Sequence, residues 1–332
     1  MRFLIALAFL LLPCAVSAQD WEDRQVFNAD AGGPVLRVLS STDTVLFAPL
    51  IEDFISENPM IGIEYLVTTT ADIDRLVRAD PDAFDIVISS AMDLQLKLAN
   101  DGFGLPLTDI PHPDWAQWHD SLFAFTSEPA SIVINRAAFE GGPIPETRQE
   151  LIEILRARPQ DFRGKVGTYD IRDSGLGYLF ATQDARASET YWRLMEVMGG
   201  LGVHLYCCSG AMIDDLTDGT ISVAYNVLGS YAAGRADRDG VLQVILPTDF
   251  QTTMMRTAMG LAGTPEPQTA ELFVRYLIAQ NAGGAASLPT LQSGGAANAR
   301  GTIVLGPALL TYLDQLKRRK FLSDWENAVI QR

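Results

Sequence analysis

The sequence predicts an α/β protein built on largely parallel sheets. Short apolar runs alternate along the chain with segments whose apolar residues recur at helical spacing. Each run ends in a cluster of hydroxyl or amide residues before the next helix begins. The length, 332 residues, allows roughly two domains at ~150 residues each.

Residues 1–18 read as a signal peptide. Arg2 precedes an apolar run from Phe3 to Leu12, and Val16-Ser17-Ala18 offers the small residues of a cleavage site, so the mature chain is expected to start near Gln19. Pro13 stands before Cys14 where a lipid-attachment site needs a small residue, which argues against a lipoprotein. No later stretch approaches the ~20 apolar residues of a membrane span, so no membrane insertion is expected after cleavage.

Val35 to Leu39 reads as a strand, Ser40 to Thr44 as a loop, and Leu46, Phe47, Leu50, Ile51, Phe54 and Ile55 as one face of a helix stopped by Asn58-Pro59. Ile61, Ile63, Tyr65 and Val67 alternate as a strand, a short helix spans Ala71 to Ala79, and Phe84 to Ile88 is a buried strand running into Ser89-Ser90. Met92, Leu94, Leu96 and Leu98 also alternate. The preceding strand nevertheless needs a crossover, and parallel connections are usually helical, so this segment is assigned to a helix.

Thr147 and Glu150 form a capping box for a helix ending at Pro159. Lys165 to Tyr169 is a strand followed by a helix from about Gly177, and Ser188 to Met198 is a helix closed by Gly199-Gly200. Val203 to Tyr206 is a strand leading through Cys207-Cys208-Ser209-Gly210 into a short helix. Thr220 to Tyr225 is a strand leading into Asn226 through Tyr231. Beyond Leu246 the chain is expected to be mostly helical, with a Gly/Ala/Ser-rich surface loop from Gly283 to Arg300.

Composition narrows the function. Apolar residues make up 48% and charged residues 20%, as in an ordinary soluble globular protein. Lys and Arg number 25 against 41 Asp and Glu, a formal charge of −16, and the basic patch that nucleic acid requires is missing, so no nucleic acid partner is expected. After cleavage the remaining cysteines are the neighbours Cys207 and Cys208. They are either two small, fairly buried side chains or a vicinal disulfide. His204 lies three residues before them, but one His and two adjacent thiols fall short of a four-ligand pattern, so neither metal nor cofactor is expected. An enzyme is disfavoured: the chain has only His112, His119 and His204, lacks nucleophile-elbow, phosphate-loop and zinc-protease motifs, and its Asp214-Asp215 pair points two ways on a helix.

The most informative feature is the recurrence of polar strand-to-helix junctions: Ser40 to Thr44, Ser89-Ser90, Asp173-Ser174, Ser209 and Asn226 to Ser230. Each alone is explained as a helix N-cap. Together they lie at the carboxyl ends of parallel strands, where helix N-termini offer unpaired N–H groups to a ligand. Arg172 is the only full cation among them, which suits a small polar ligand with one phosphate or carboxylate.

The segments Val38-Leu-Ser-Ser-Thr-Asp-Thr, Asp85-Ile-Val-Ile-Ser-Ser, Thr168-Tyr-Asp-Ile-Arg-Asp-Ser-Gly-Leu-Gly and Ser222-Val-Ala-Tyr-Asn-Val-Leu-Gly-Ser-Tyr resemble the type II periplasmic solute-binding proteins of ABC importers. The resemblance is strongest to the branch of ferric-ion, phosphoglycerate and sugar-phosphate binders. It implies two α/β lobes with mixed, largely parallel sheets, joined by two crossover hinge strands and closing over the ligand by hinge motion. The crossovers are expected near Phe123 to Thr126 and Val241 to Leu246. Residues 35–126 and 241–332 would then form the first lobe and 127–240 the second.

The family's binding loops fall on Ser40, Ser41, Thr42, Ser89, Ser90, Ser174, Ser209 and the turn Asn226 to Ser230; Arg172 joins them from the charge argument. The ferric-ion binders share an adjacent tyrosine pair where this chain has Gly229-Ser230-Tyr231, which makes iron an alternative rather than the leading ligand. The resemblance thus implies a monomeric periplasmic protein that captures a small anionic metabolite and hands it to an ABC importer permease. A ligand-presenting partner of a sensor kinase's periplasmic domain is the alternative role.

Overall fold

A computed structural model describes residues 21–28, 32–232, 240–280, 288 and 301–331. The expected signal peptide, Cys14 and all of the Gly283 to Arg300 stretch except Leu288 lie outside the described residues.

The chain begins with β1 (Asp23–Phe27), β2 (Val35–Ser40), α1 (Thr44–Glu57), β3 (Gly62–Val67), α2 (Thr70–Ala79), β4 (Ile86–Ser89) and α3 (Met92–Asn100), followed by the short strands β5 (Gln117–Trp118) and β6 (Leu122–Ala124). It then enters a second sheet. There lie β7 (Glu128–Asn135), α4 (Arg148–Ala157), α5 (Pro159–Phe162), β8 (Val166–Tyr169), α6 (Gly175–Ala187), α7 (Thr190–Gly200), β9 (His204–Tyr206), α8 (Ser209–Thr217), β10 (Val223–Leu228), β11 (Leu242–Ile245) and β12 (Thr253–Met254). The chain returns to the first sheet as β13 (Thr257–Gly260), continues into a helix from Pro267 to Ala279, and ends in a helix from Gln315 to Val329.

The first sheet has the order β1-β3-β2-β4-β13-β6-β5 and the second β11-β7-β10-β8-β9, with β12 also paired to β7. Each is mixed around a parallel core of three strands: β3-β2-β4 in one lobe and β10-β8-β9 in the other. Helices cover these cores as the apolar spacing requires. Phe47, Leu50, Ile51 and Phe54 of α1 are buried against Tyr65 and Val67 of β3, and α3 is helical despite its alternating leucines. Among the described residues no helix is long and apolar enough to cross a membrane.

Several expectations are corrected. The chain beyond Leu246, expected to be mostly helical, also carries two strands, β12 and β13, and β13 fills the middle of the first sheet between β4 and β6. Its four residues, Thr-Ala-Met-Gly, are all buried, so they show no alternation to read. The second crossover is not at Val241 to Leu246: those residues contain β11, which pairs with Ile132 to Asn135 of β7. The chain leaves the second sheet only at Met255-Arg256, after β12 has paired with Pro129 and Glu128. The C-terminal helix belongs with the second lobe, where Phe321, Trp325 and Val329 join Tyr191, Leu194, Met195 and Met198 in one core.

That docking explains Gly199. A Cβ there would stand 2.5 Å from the Ala328 carbonyl oxygen and 2.7 Å from that of Val329, so the glycine allows the close approach rather than ending α7. The left-handed turn after the helix falls to Gly202, at φ +70°. The strand expected over Thr220 to Tyr225 is shifted onward to β10, with a bulge at Asn226, where φ is +65°.

The two crossovers lie side by side and are tied by polar groups. The Phe125 N–H donates to the Arg256 carbonyl at 2.9 Å, and the Arg256 N–H donates to Thr126 Oγ1 at 2.9 Å. The Arg256 guanidinium donates to Glu128 Oε1 through Nη2 at 2.9 Å and Nε at 3.2 Å, with both side chains completely buried. A second buried arginine anchors the segment before β12. Arg148 donates to the Tyr225 hydroxyl (2.7 Å), Asp249 Oδ1 (3.0 Å) and the Phe250 carbonyl (2.7 Å), while Asp184 accepts from Tyr225, Asn226 and Thr252.

Two stability predictions follow from these buried charges. Glu128→Ala strands a buried guanidinium and is expected to cost about 3–5 kcal/mol in chemical denaturation, with Glu128→Gln costing less. A loss below about 1 kcal/mol for the alanine variant would show that water replaces the carboxylate. The other concerns Asp93 in the first turn of α3, whose carboxyl is pushed from 3.8 up to about 7 by burial, partly offset by the Leu94 N–H. Because the folded state holds this proton more tightly than the unfolded chain, stability should fall as pH rises between 3.8 and about 7, by up to about 1.4 kcal/mol per unit. Denaturation at about pH 5 and about pH 8 should show a shallower decline for Asp93→Asn than for the parent.

Candidate functional site

Six parallel strands end at one cleft between the lobes, and every one of their carboxyl ends supplies part of a cavity wall. After β2 come Ser41 and Asp43, after β3 Thr68, Thr69 and Thr70, and after β4 Ser90. From the other lobe, β8 gives Tyr169 with Leu176 beyond it, β9 gives Cys207, Cys208 and Ser209, and β10 gives Leu228 and Tyr231. Glu22, just before β1, completes the wall around a volume of about 30 Å³, large enough to admit water.

The lobes touch across this cleft. The Tyr231 hydroxyl donates to Asp43 Oδ1 at 3.0 Å, and Thr70 Oγ1 accepts from the N–H groups of Gly175 (2.9 Å) and Leu176 (3.2 Å) at the start of α6. Asp43 also reaches the start of α8, where its Oδ2 lies 3.2 Å from the position a Cβ on Gly210 would take. The structure is therefore a closed state in which a carboxylate of one lobe meets a helix N-terminus of the other. Glu22 is pushed up, first by burial and then by the charges of Asp43 and Asp72. Burial likewise pushes the phenols of Tyr169 and Tyr231 up, so both are neutral hydrogen-bonding groups.

Of the residues singled out from sequence, Ser41, Ser90 and Ser209 line the cavity. Six others are buried behind it as supports. Ser40 Oγ accepts from the Tyr65 hydroxyl (2.7 Å) and the Thr42 N–H (3.0 Å), and Thr42 Oγ1 accepts from Arg256. Ser89 Oγ takes the Ala91 N–H (3.1 Å) and Ser174 Oγ takes the Gly177 N–H (3.1 Å), both at helix starts. Asn226 donates to Asp184 (2.8 Å) and Ser230 donates to Glu128. Arg172 is not brought in: its guanidinium turns to Asp170, with Nε at 2.8 Å from Oδ1, and lies over the Trp325 ring.

The lining residues not anticipated include Glu22 and the Thr68–Thr70 run. The signal for the second was present: a threonine run follows an alternating strand, and Thr69 caps α2 by accepting the Asp72 N–H at 3.1 Å. Nothing in the local sequence of Glu22 points to the cleft, since β1 reaches it only by pairing antiparallel to β3. Among the described residues no group of three or more His, Cys, Asp or Glu side chains is placed to hold a metal ion.

The cross-cleft contacts yield a prediction about closure. Removing them in Thr70→Ala/Tyr231→Phe should take away about 0.5–1.5 kcal/mol per hydrogen bond and open the unliganded protein, raising its radius of gyration in small-angle scattering. An unchanged radius would mean that the remaining contacts across the cleft, among them Asp43 at the start of α8, hold the lobes together.

No protein-family model and no curated protein matches the chain. Solved structures do. The substrate-binding protein of an ABC transporter from Agrobacterium tumefaciens is 30% identical over 92% of this chain and 98% of its own, with a TM-score of 0.85. The periplasmic binding protein AfuA from Actinobacillus pleuropneumoniae, solved with fructose-6-phosphate, is 12% identical over 89% and 98%, at a TM-score of 0.72. Iron-bound HitA from Pseudomonas aeruginosa is 12% identical over 90% and 99%, at 0.67. The shared two-lobed architecture, with strand ends meeting across a hinged cleft, and the extent of the first match make this chain a member of the type II periplasmic substrate-binding proteins of ABC transporters.

Proposed function

We propose that the protein is exported to the periplasm, closes its two lobes over a small polar solute, and delivers it to the permease of an ABC importer, acting as a binding protein and not as an enzyme. The observation that carries this reading is the convergence of six strand ends, three from each lobe, on one polar cavity. Ser41, Thr69, Thr70, Ser90, Tyr169, Ser209 and Tyr231 offer hydroxyl groups from both sides, so a bound solute would bridge the lobes and favour closure.

The anionic ligand expected from sequence loses its cation, because Arg172 is engaged with Asp170 outside the cavity wall and Arg256 is engaged with Glu128. Glu22 and Asp43 make the wall acidic. A solute that brings donors, neutral or amine-bearing, suits it best. An anion is the second reading, favoured by the starts of α1, α3 and α8 at the cavity, and it would have to displace Asp43 from α8.

A thermal-shift screen of the chain from Gln19 tests this, using polyols, sugars, amines, phosphorylated sugars, glycerates, carboxylates and ferric ion. A solute at a thousand times its Kd should add ~4 kcal/mol, a clear rise in midpoint. Ser41→Ala/Ser90→Ala should shrink that rise while leaving the unliganded midpoint nearly unchanged. A rise with phosphates or carboxylates alone would establish the second reading, and a rise with ferric ion alone would overturn both.

A further inference from the structure

We propose that Cys207 and Cys208 form a reversible dithiol–disulfide couple in the wall of the cleft, and that its redox state sets how the lobes close; the link to closure rests on reading the cleft as the solute site. The two residues are the whole connection between β9, which ends at Tyr206, and α8, which starts at Ser209. Both side chains line the cavity, and their Sγ atoms lie 2.7 Å apart. Cys207 is exposed and Cys208 half-buried, so one thiol is open to a reagent while the other waits behind it. The hydrogen bond from Cys208 lowers the Cys207 thiol to about 7, and the Cys208 thiol is pushed up in turn. The accessible sulfur is thus the nucleophile.

The step is thiol–disulfide exchange with a disulfide-bearing oxidant. The Cys207 thiolate attacks one sulfur of the oxidant, forming a mixed disulfide and expelling one thiolate. Cys208 then gives its proton to solvent and attacks Cys207 Sγ, expelling the second thiolate. The cysteines lose two electrons and two protons in all, and the oxidant's S–S bond becomes two thiols. The new ring includes the peptide between the cysteines, and a bridge between neighbours strains that peptide, which makes it readily reducible.

Closure is coupled through the residues that follow. Ser209 Oγ lies 2.5 Å from the Tyr169 hydroxyl and accepts the Leu228 N–H at 3.3 Å, tying three cavity-lining strand ends together. Gly210 is where Asp43 arrives from the opposite lobe. Closing the ring repositions the backbone at these two residues, and so changes what Asp43 meets.

The test uses the chain from Gln19 treated with oxidised glutathione, then with an alkylating reagent, and read by whole-protein mass and non-reducing gel. The expected product is a monomer lighter by two hydrogens that takes up no alkyl group, against two groups on the reduced protein. Small-angle scattering should then show a different radius of gyration for the two forms, reversed by dithiothreitol, while Cys207→Ser/Cys208→Ser gives one radius under both conditions. Uptake of two alkyl groups after oxidation, or a disulfide-linked dimer, would overturn the couple. A disulfide that forms and reverses with no change in radius would overturn the switch, even if the serine variant fails to fold. The solute screen is independent of either result, so failure there sinks the binding reading and not the couple.

Discussion

The ion pair between Arg256 and Glu128 is the constraint from which the rest of the molecule takes its geometry. Arg256 sits in the return crossover and Glu128 opens the strand that follows the outward one, so their contact fixes the two passages between the lobes against each other. Its reach is wider than the hinge. Arg256 also donates to Thr42 in the first lobe's cleft loop, and Glu128 accepts from Ser230 beyond β10 in the second. A pair so deeply buried gains little net energy over well-packed apolar side chains, because desolvation offsets the attraction. What it contributes is position: one guanidinium and one carboxylate set where both walls of the cleft stand.

The cleft itself is built in two layers. The residues in contact with the cavity are held by a buried set directly behind them, in which nearly every hydroxyl has a named donor or acceptor. Ser209 belongs to both, facing the cavity while bonding Tyr169 and Leu228. This arrangement fixes the wall on each side through hydrogen bonds made within its own lobe.

The parallel cores were legible in the sequence because their signals are local. An apolar run, a polar junction and a helical repeat occur within about twenty residues, and the N-caps at Ser174 and Thr147 follow from the same window. What escaped is non-local. β13 is four buried residues whose identity as a strand depends on β4 and β6, and β1 reaches the cleft only by lying beside β3. The junction argument located the cleft but not which hydroxyls face it, since capping a helix and lining a cavity call for the same side chains. Ser174 and Ser90 look alike in sequence, and only the direction of the chain after them separates the cap from the wall. Arg172 stands outside the cavity wall for a related reason: its partner Asp170 is two residues away, and the guanidinium turns to that carboxylate within its own loop.

The docking of the C-terminal helix on the second lobe has a mechanical consequence. The helix from Pro267 to Ala279 packs in the first lobe's core, so the chain must pass between the lobes a third time before Gln315. Residues 301–313 run along this route. Thr302 bridges to Thr253, the Leu305 N–H donates to the Trp115 carbonyl at 2.9 Å, and the Tyr312 carbonyl accepts from Tyr178 at 2.6 Å. The third passage lies against the hinge of adjacent crossovers and not apart from it: the Thr253 N–H donates to the Gly301 carbonyl at 2.8 Å and the Ile303 N–H donates to the Thr253 carbonyl at 2.9 Å, so any bend at the return crossover has to carry residues 301–303 with it.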